Sequence, residues 1–458
     1  VAADPRDVLM RKDKIVAVPE PPPLFASPIH FRPKVGVLAD TIPFYWKGEY
    51  HVFYLRGPMA KVPWEHIVST DLVHWKELPP ALLPDSDPNG PDGENMFTGS
   101  VCEHKGAFHI FYTGWNPRNP KGRETVMRAT STDLIHWSKH PQEQHRPDGV
   151  LYSNKQDCDF RDPFVFWNEA AKEHWMILCA NSLQGCGPGV AVSKDLHTWT
   201  MTPPLKAPSQ ECPDLFKIGD TWYLIGGDTY SFSKDLRGEF KAPPVQNVID
   251  RPGIYAGKRM FDGRRHVWTG WVWDSTTGRD GGGLVWGGTQ CLPRELFAGP
   301  DGQLYQKPVQ EVTGVFHNTA LEIKAPQDIT TSTLPVPDHY MLQVELQLDS
   351  QATLTIAMRQ QANGSEGYRF VLRARTQEAE LNGPGFCYRR RCPIDTSKPI
   401  RFQAFVQGTI IECFINDQFA YTSRAYDYRT GLLGLKAEGG KAKVLQLAVK
   451  THDTEGNR

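Results

Sequence analysis

The chain has 458 residues, with 51 Lys and Arg against 52 Asp and Glu, a formal net charge of -1, 40 Gly, 37 Pro and 50 aromatic residues (13 Trp, 15 Tyr and 22 Phe). The near-neutral balance removes the global electrostatic reason to expect a nucleic acid or an anionic membrane as partner, and no uninterrupted apolar run approaches the roughly 18 residues needed to span a bilayer. At roughly 100–200 residues per domain the length predicts two or more domains, and the Gly and Pro content predicts a chain that turns often.

The opening residues, Val1 to Met10, lack the apolar core of a signal peptide. Because the chain starts at Val rather than Met, compartment is left open, with an extracellular location favoured over a cytoplasmic one. The nine Cys are scattered without the spacing of a zinc site and read as buried small hydrophobes. Cys387 and Cys392 are close enough in sequence to pair in an oxidising compartment, and Asn363-Gly364-Ser365 is a glycosylation sequon.

Along the first two thirds of the chain one signature recurs: Ser69-Thr-Asp-Leu-Val-His-Trp75, Ser131-Thr-Asp-Leu-Ile-His-Trp137, Ser193-Lys-Asp-Leu-His-Thr-Trp199 and the shorter Ser233-Lys-Asp-Leu236. Each follows a strand-like aromatic run, beginning at Tyr50, Phe108, His174 and Thr221, and a fifth run begins at His266 without a later signature. Five units at intervals of about 40–60 residues predict a five-bladed β-propeller, since one four-stranded blade occupies that length. The signature reads as a turn feeding a blade's outer strand, with Ser and Asp bonding nearby backbone and Trp packing between blades.

From about residue 325 the signature stops and alternating strands follow, beginning at Met341, Thr353, Tyr368, Ile400, Ile410 and Val444. That pattern predicts a β-sandwich. The expected fold is therefore all-β, with a propeller domain over residues 1–320, a sandwich domain over 335–458 and a polar, Pro-containing linker around Ala325 to Thr333 between them. Arg389-Arg390-Arg391 reads as a solvated loop.

In a propeller the first strand of each blade lines the central axis, so residues at one register of these strands crowd a single funnel. Asp40, Asp162 and Glu211 share such a register, about ten to thirteen residues upstream of their aromatic runs, while Phe97-Thr98 and Ile254-Tyr255 occupy it in the other two units. Three converging carboxylates repel one another when all are ionised, which raises the pKa of at least one. Glycosidic cleavage uses that split, with an ionised carboxylate to attack or to activate water and a protonated one to donate to the leaving oxygen. Arg161 is placed to keep the neighbouring Asp162 ionised.

At these residues the sequence resembles the β-fructofuranosidases of glycoside hydrolase family 32, the invertase, inulinase and levanase group. Asp159-Phe160-Arg161-Asp162-Pro163 is similar to that family's Arg-Asp-Pro motif, and Glu211-Cys212-Pro213-Asp214 to its Glu-Cys-Pro-Asp motif. Supporting matches are Trp64-Glu65-His66, Phe97-Thr98-Gly99-Ser100, Tyr255-Ala256, Gly287 through Leu296, and Glu412 through Asp417 with Thr422-Ser423-Arg424. The resemblance implies a five-bladed propeller followed by a β-sandwich. It implies Asp40 as nucleophile, Glu211 as general acid/base and Asp162 as the stabiliser that binds sugar hydroxyls, in a retaining reaction on a fructofuranoside such as sucrose, an oligosaccharide or a fructan. Water as acceptor gives hydrolysis, and a sugar gives transfer. Trp64 and Phe97 are then candidates for the apolar wall around the sugar, with core packing as the other reading of both. Ser100 and Arg161 are hydrogen-bonding candidates, and Tyr255 is a further substrate-binding candidate.

The line around the nucleophile departs from the family. Where the family carries Trp-Met-Asn-Asp-Pro-Asn-Gly, this chain reads Gly36-Val-Leu-Ala39-Asp40-Thr-Ile-Pro43, and the family's Gln at the end of the next strand is missing after Tyr54. Arg56 there either meets a charged group on the substrate or pairs with a neighbouring acid. Two other readings stand beside the main one: an inverting arabinofuranosidase- or xylosidase-like propeller enzyme, and a noncatalytic carbohydrate-binding relative. No metal and no cofactor is expected, because neither metal-ligand spacing nor a phosphate loop is found. The sandwich, without an acid cluster of its own, either covers the propeller's side or helps an oligomer contact, so monomer and homo-oligomer both remain open.

Overall fold

The computed structural model describes residues 27, 29–57, 61–245, 249–250 and 253–453. The opening segment read above for a leader, Val1 to Met10, lies outside the described residues.

Five consecutive antiparallel sets of strands follow from Val37. The first set runs Val37–Trp46, Glu49–Gly57, Trp64–Ser69 and Lys76–Leu82, and the second Asn95–His104, Ala107–Trp115, Glu124–Ser131 and Ser138–Lys139. The third is Phe160–Asn168, Glu173–Ala180, Gly189–Ser193 and Thr200–Thr202. The fourth has three strands, Asp214–Ile218, Thr221–Gly226 and Thr229–Ser233, with a lone bridge from Phe232 to Lys241 at its outer edge. In the fifth, Ile254–Phe261 and His266–Ser275 are followed by an outer part split between Leu284–Gln290 and Arg294–Ala298, and by Leu304–Pro308. Leu38 pairs with Gly288, which joins the first set to the last and closes the ring.

The repeated signature does what its composition predicts. Ser69, Ser131 and Ser193 end third strands, and Asp71, Asp133 and Asp195 accept two backbone N–H bonds each from the residues that follow. The Leu between them takes a positive φ in all three copies, 61° at Leu72, 66° at Leu134 and 64° at Leu196, which turns the chain into the outer strand. Trp137 then meets Phe53 of the preceding set edge-on, and Trp199 meets Phe111 in the same way, so each indole packs between neighbours.

The second domain is a two-sheet sandwich around one apolar core that includes Leu342, Val344, Leu346, Ile356, Phe370, Phe402 and Tyr421. Its strands alternate buried and half-buried positions, as along Tyr340–Leu348. The stretch read as a linker is part of it. Asn318–Ile323 and Gln327–Asp328 pair with Ala442–Thr451, and Thr331–Leu334 pairs with Leu432–Glu438. Polar composition here marks edge strands facing water on one side. Arg389 to Arg391 also form no loop. They lie in Phe386–Arg391, where Arg389 pairs with Glu380 at 2.7 Å, and Arg390 is buried with its guanidinium over the Tyr421 ring at 4.4 Å. Cys387 and Cys392 are both free thiols, as are the other seven cysteines.

The sandwich covers the propeller's side. Val309, Val312 and Phe316, on and beside the short helix Gln310–Gly314, pack with Met341, Phe405 and Phe414 of the sandwich and with Met260, Val267 and Leu292 of the propeller. Beside this apolar contact lies a buried ion network. Arg294 reaches Asp250 at 2.7 Å and Glu412 at 2.5 Å, and Glu412 accepts the Leu292 N–H at 2.8 Å and sits 3.0 Å from His30 Nε2. Two of the sequence motifs noted above, one from each domain, therefore meet face to face.

Candidate active site

The inner strand carries an irregularity at the acid register in four of the five sets. Pairing along Val37–Trp46 skips Asp40, pairing along Asn95–His104 skips Thr98, and the register shifts again around Asp162 and between Tyr255 and Lys258. An extra residue in one strand of a pair bends it and re-aims a side chain that regular alternation would send into the sheet packing. Asp40, Asp162 and Ala256 sit there at φ of 35°, 60° and 46°, values that non-glycine residues adopt only where the surroundings hold them. In the fourth set Glu211 and Cys212 precede the strand, Cys212 has φ 52°, and the Glu211 carbonyl accepts the Gly227 N–H at 3.0 Å.

Cys212 ties the three acids together. Its amide donates to Asp162 Oδ2 at 2.9 Å, its thiol lies 4.0 Å from Asp40 Oδ2, and it is bonded to Glu211. Asp40 also accepts the Trp271 indole N–H at 3.3 Å. Glu211 is the most open of the acids and is held from two sides, by the Arg161 guanidinium at 2.8 Å and by the Tyr255 hydroxyl, which donates at 2.6 Å. Arg161 is in turn paired with Glu124 at 3.3 Å and with Asp159, and lies 3.7 Å from Asp162.

Burial pushes the Asp40 carboxyl up to about 7, and the charges of Asp162 and Glu211 add to this against Lys258 and the Trp271 hydrogen bond. Burial likewise pushes Asp162 up to about 6, opposed by Arg161, the Cys212 amide and Lys258. Burial also drives the Cys212 thiol and the Tyr255 hydroxyl up, which leaves both protonated as neutral donors. Burial works against the charge on Arg161, but its carboxylate neighbours outweigh that effect and hold the guanidinium charged.

Of the residues singled out from sequence, Asp40, Asp162, Glu211, Arg161 and Tyr255 come together at this point. Phe97 is half-buried and stacks on Trp115 at 5.6 Å. Trp64 and Ser100 are placed otherwise. The Trp64 ring is sealed at 0% exposure, with its N–H donating to the Phe97 carbonyl at 3.0 Å, so it is core beneath the site and no open wall. The Ser100 hydroxyl donates to Pro163 O at 2.8 Å and accepts the Val165 N–H at 2.9 Å, which commits it to stitching the second set to the third. Arg56 pairs with Glu65 at 2.7 Å. The sequence reading passed over Trp271, which contacts Asp40. It placed Thr98 at the acid register without giving it a role, and the structure shows its hydroxyl buried there without a hydrogen-bond partner.

Comparison with known proteins gives one consistent result. The family models for the N-terminal domain and the C-terminal region of glycosyl hydrolases family 32 match residues 30–308 and 311–451. The chain is 27% identical over 466 residues to a sucrose-6-phosphate hydrolase of Escherichia coli, covering 88% of this chain and 89% of that protein. It is 31% identical over 338 residues to the β-fructofuranosidase insoluble isoenzyme 2 of rice (Oryza sativa), covering 62% of this chain and 55% of that protein. The fold superimposes on fructan 1-exohydrolase IIa from Cichorium intybus (TM-score 0.79, 20% identity, 95% of this chain and 98% of that one) and on exo-inulinase from Aspergillus awamori (TM-score 0.77, 20% identity, 94% and 98%). With both of its domains matched and its acids assembled on and beside the inner strands of a β-propeller, the chain belongs to glycosyl hydrolase family 32.

Proposed function

We propose that the protein is a retaining glycoside hydrolase of β-fructofuranosides, with sucrose, its oligosaccharides or fructans as substrates. The observation that carries this reading is the contact of Cys212 with both aspartates while its neighbour Glu211 stands more open beside them. The names of the relatives support the substrate class: sucrose-6-phosphate hydrolase in Escherichia coli, β-fructofuranosidase in rice, and solved structures that hold 1-kestose or sucrose.

In the first step an Asp40 oxygen bonds to the anomeric carbon as the glycosidic bond breaks, and the Glu211 proton passes to the leaving oxygen. In the second step Glu211 takes a proton from water, whose oxygen bonds to the anomeric carbon as the Asp40 ester breaks. A sugar hydroxyl in place of water gives transfer. Asp162, fixed by the Cys212 amide, is placed to accept hydrogen bonds from sugar hydroxyls while positive charge grows on the ring. Ala39 pairs with Leu55 where the family carries Asn, so the hydrogen bonds of that side chain have no counterpart. The sugar site differs from the family's at this point.

The test is a turnover assay on sucrose, sucrose-6-phosphate, inulin, levan and an aryl arabinofuranoside, with NMR of the product before it mutarotates. β-Fructofuranose as the first product is the expected result. An inverted anomer overturns the retaining mechanism, preference for the arabinofuranoside overturns the substrate class, and absence of turnover on every substrate favours the carbohydrate-binding reading.

A further inference from the structure

Lys258 lies on the inner strand Ile254–Phe261, two residues past the irregularity at Ala256, and is 2% exposed. Its ammonium donates to the Gly99 carbonyl at 2.7 Å. Gly99 belongs to the inner strand of the second set, so the side chain crosses from the fifth set to the second through the middle of the ring. Gly99 itself is fixed by its own set, because a Cβ there would fall 1.8 Å from the Phe111 carbonyl oxygen on the paired strand. A buried ammonium is costly unless charges of opposite sign surround it.

The charged and titratable groups of the inner strands and turns around it are as follows. The first set contributes Asp40, the third Asp162 with Arg161, and the fourth Glu211, Cys212 and Asp214, while its own strand adds Tyr255 and Arg259. Arg161 is already engaged by Glu124, Asp159 and Glu211, and Arg259 by Asp214 at 3.3 Å. The positive charge of Lys258 favours the ionised forms of Asp40, Asp162, Cys212 and Asp214 alike.

We propose that Lys258 is a positioning residue for the reaction: an ammonium set across the propeller axis that lets Asp40 carry its negative charge beside Asp162. It touches no substrate and acts through the carboxylates. The inference rests on the reading of Asp40 as the nucleophile, and two measurements separate its failure from the failure of that reading.

The first is the pH profile of kcat/KM for wild type, Lys258→Met, Lys258→Gln and Lys258→Arg. Loss of the charge moves the acid limb of Met and Gln to higher pH by about one unit or more, so that their activity relative to wild type is at least about tenfold lower at pH 6 than at pH 8. Lys258→Arg keeps the wild-type limb. A uniform loss of rate with an unmoved limb in both neutral variants, joined to equal losses of Tm in the two backgrounds below, overturns the proposal, since a purely structural tie to Gly99 lowers the amount of active enzyme at every pH. The second is thermal unfolding at pH 8 of Lys258→Met and Lys258→Gln, each in the wild-type and the Asp40→Asn backgrounds. If the lysine offsets the aspartate charge, the loss of Tm is smaller once Asp40 is neutral, and an equal loss in both backgrounds overturns the proposal. If this coupling is present but the kinetic limb is unmoved, the lysine acts as proposed on Asp40 and Asp40 is not the nucleophile. Neutral variants too unstable to purify as single substitutions are recovered by Asp40→Asn if the proposal holds, and failure to recover them counts against it.

Discussion

The amide of Cys212 donates to Asp162 Oδ2 at 2.9 Å, so the turn that delivers the Glu211 carboxyl is anchored to a carboxylate on the neighbouring set of strands. On the proposed mechanism Asp162 therefore holds two roles, one toward sugar and one toward the acid/base. Asp162→Asn keeps an oxygen to accept the amide and removes only charge; kcat falls by roughly 10²–10³-fold with no loss of Tm. Asp162→Ala loses the anchor as well, and both kcat and Tm fall. Steady-state kinetics and thermal unfolding of the pair separate the two roles.

Glu211→Gln removes the transferable proton and lowers turnover by roughly 10²–10⁴-fold, while calorimetry with sucrose still detects binding. Tyr255→Phe takes away the 2.6 Å donation to Glu211 and costs roughly tenfold in kcat, with KM nearly unchanged because the hydroxyl is directed at the acid.

Asp40 and Asp162 are pushed from an ordinary 3.8 up to about 7 and about 6. A carboxyl raised on folding contributes stability that is complete below the unfolded value and is lost as pH rises through the folded one. The enzyme is therefore expected to lose stability between about pH 4 and pH 7 from this source, and to lose kcat/KM as pH falls through the same upper range because Asp40, the proposed nucleophile, is protonated there. Asp40→Asn, which cannot ionise, has a higher Tm than wild type at pH 8, by about 2–4 °C for each kcal/mol of relieved charge burial, and the difference vanishes at pH 4. Unfolding scans at the two pH values check it.

Arg294 is fully buried between Asp250 and Glu412, one on each side of the domain junction. Arg294→Met leaves two carboxylates without their cation and destabilises the folded chain by about 3–5 kcal/mol. Urea unfolding followed by tryptophan fluorescence is expected to show a lower midpoint, with activity lost along the same curve.

The fold was legible because repetition is a sequence property. Ser69, Ser131 and Ser193 end equivalent strands, and the residues that carry Asp40 and Asp162 lie one strand upstream of each aromatic run. The irregularities that aim those acids were not legible, since an extra residue in a strand pair is defined by which partner residue it fails to meet. Trp64 and Ser100 show the same limit from the other side. Alternation places them on a buried face and does not say whether that face ends at sugar or at the next blade. Trp271 meets Asp40 across the seam between the last set and the first, and Lys258 meets Gly99 in the second, residues far away in sequence where periodicity carries no information. Arg390 was misread because charge density alone suggested water, and the stacking surface of Tyr421 was invisible.

The pairing of Leu38 with Gly288 bears on when the enzyme comes into being. The strand bearing Asp40 emerges early from the ribosome, yet its flank is completed only by a segment made some 250 positions later, and Glu412 must then arrive to lock that segment's neighbour Leu292 and the distant His30. The strand that carries Asp40 is thus completed only together with parts of the chain far downstream, and a chain cut short before Glu412 is expected to lose the bonds that hold Leu292 and His30.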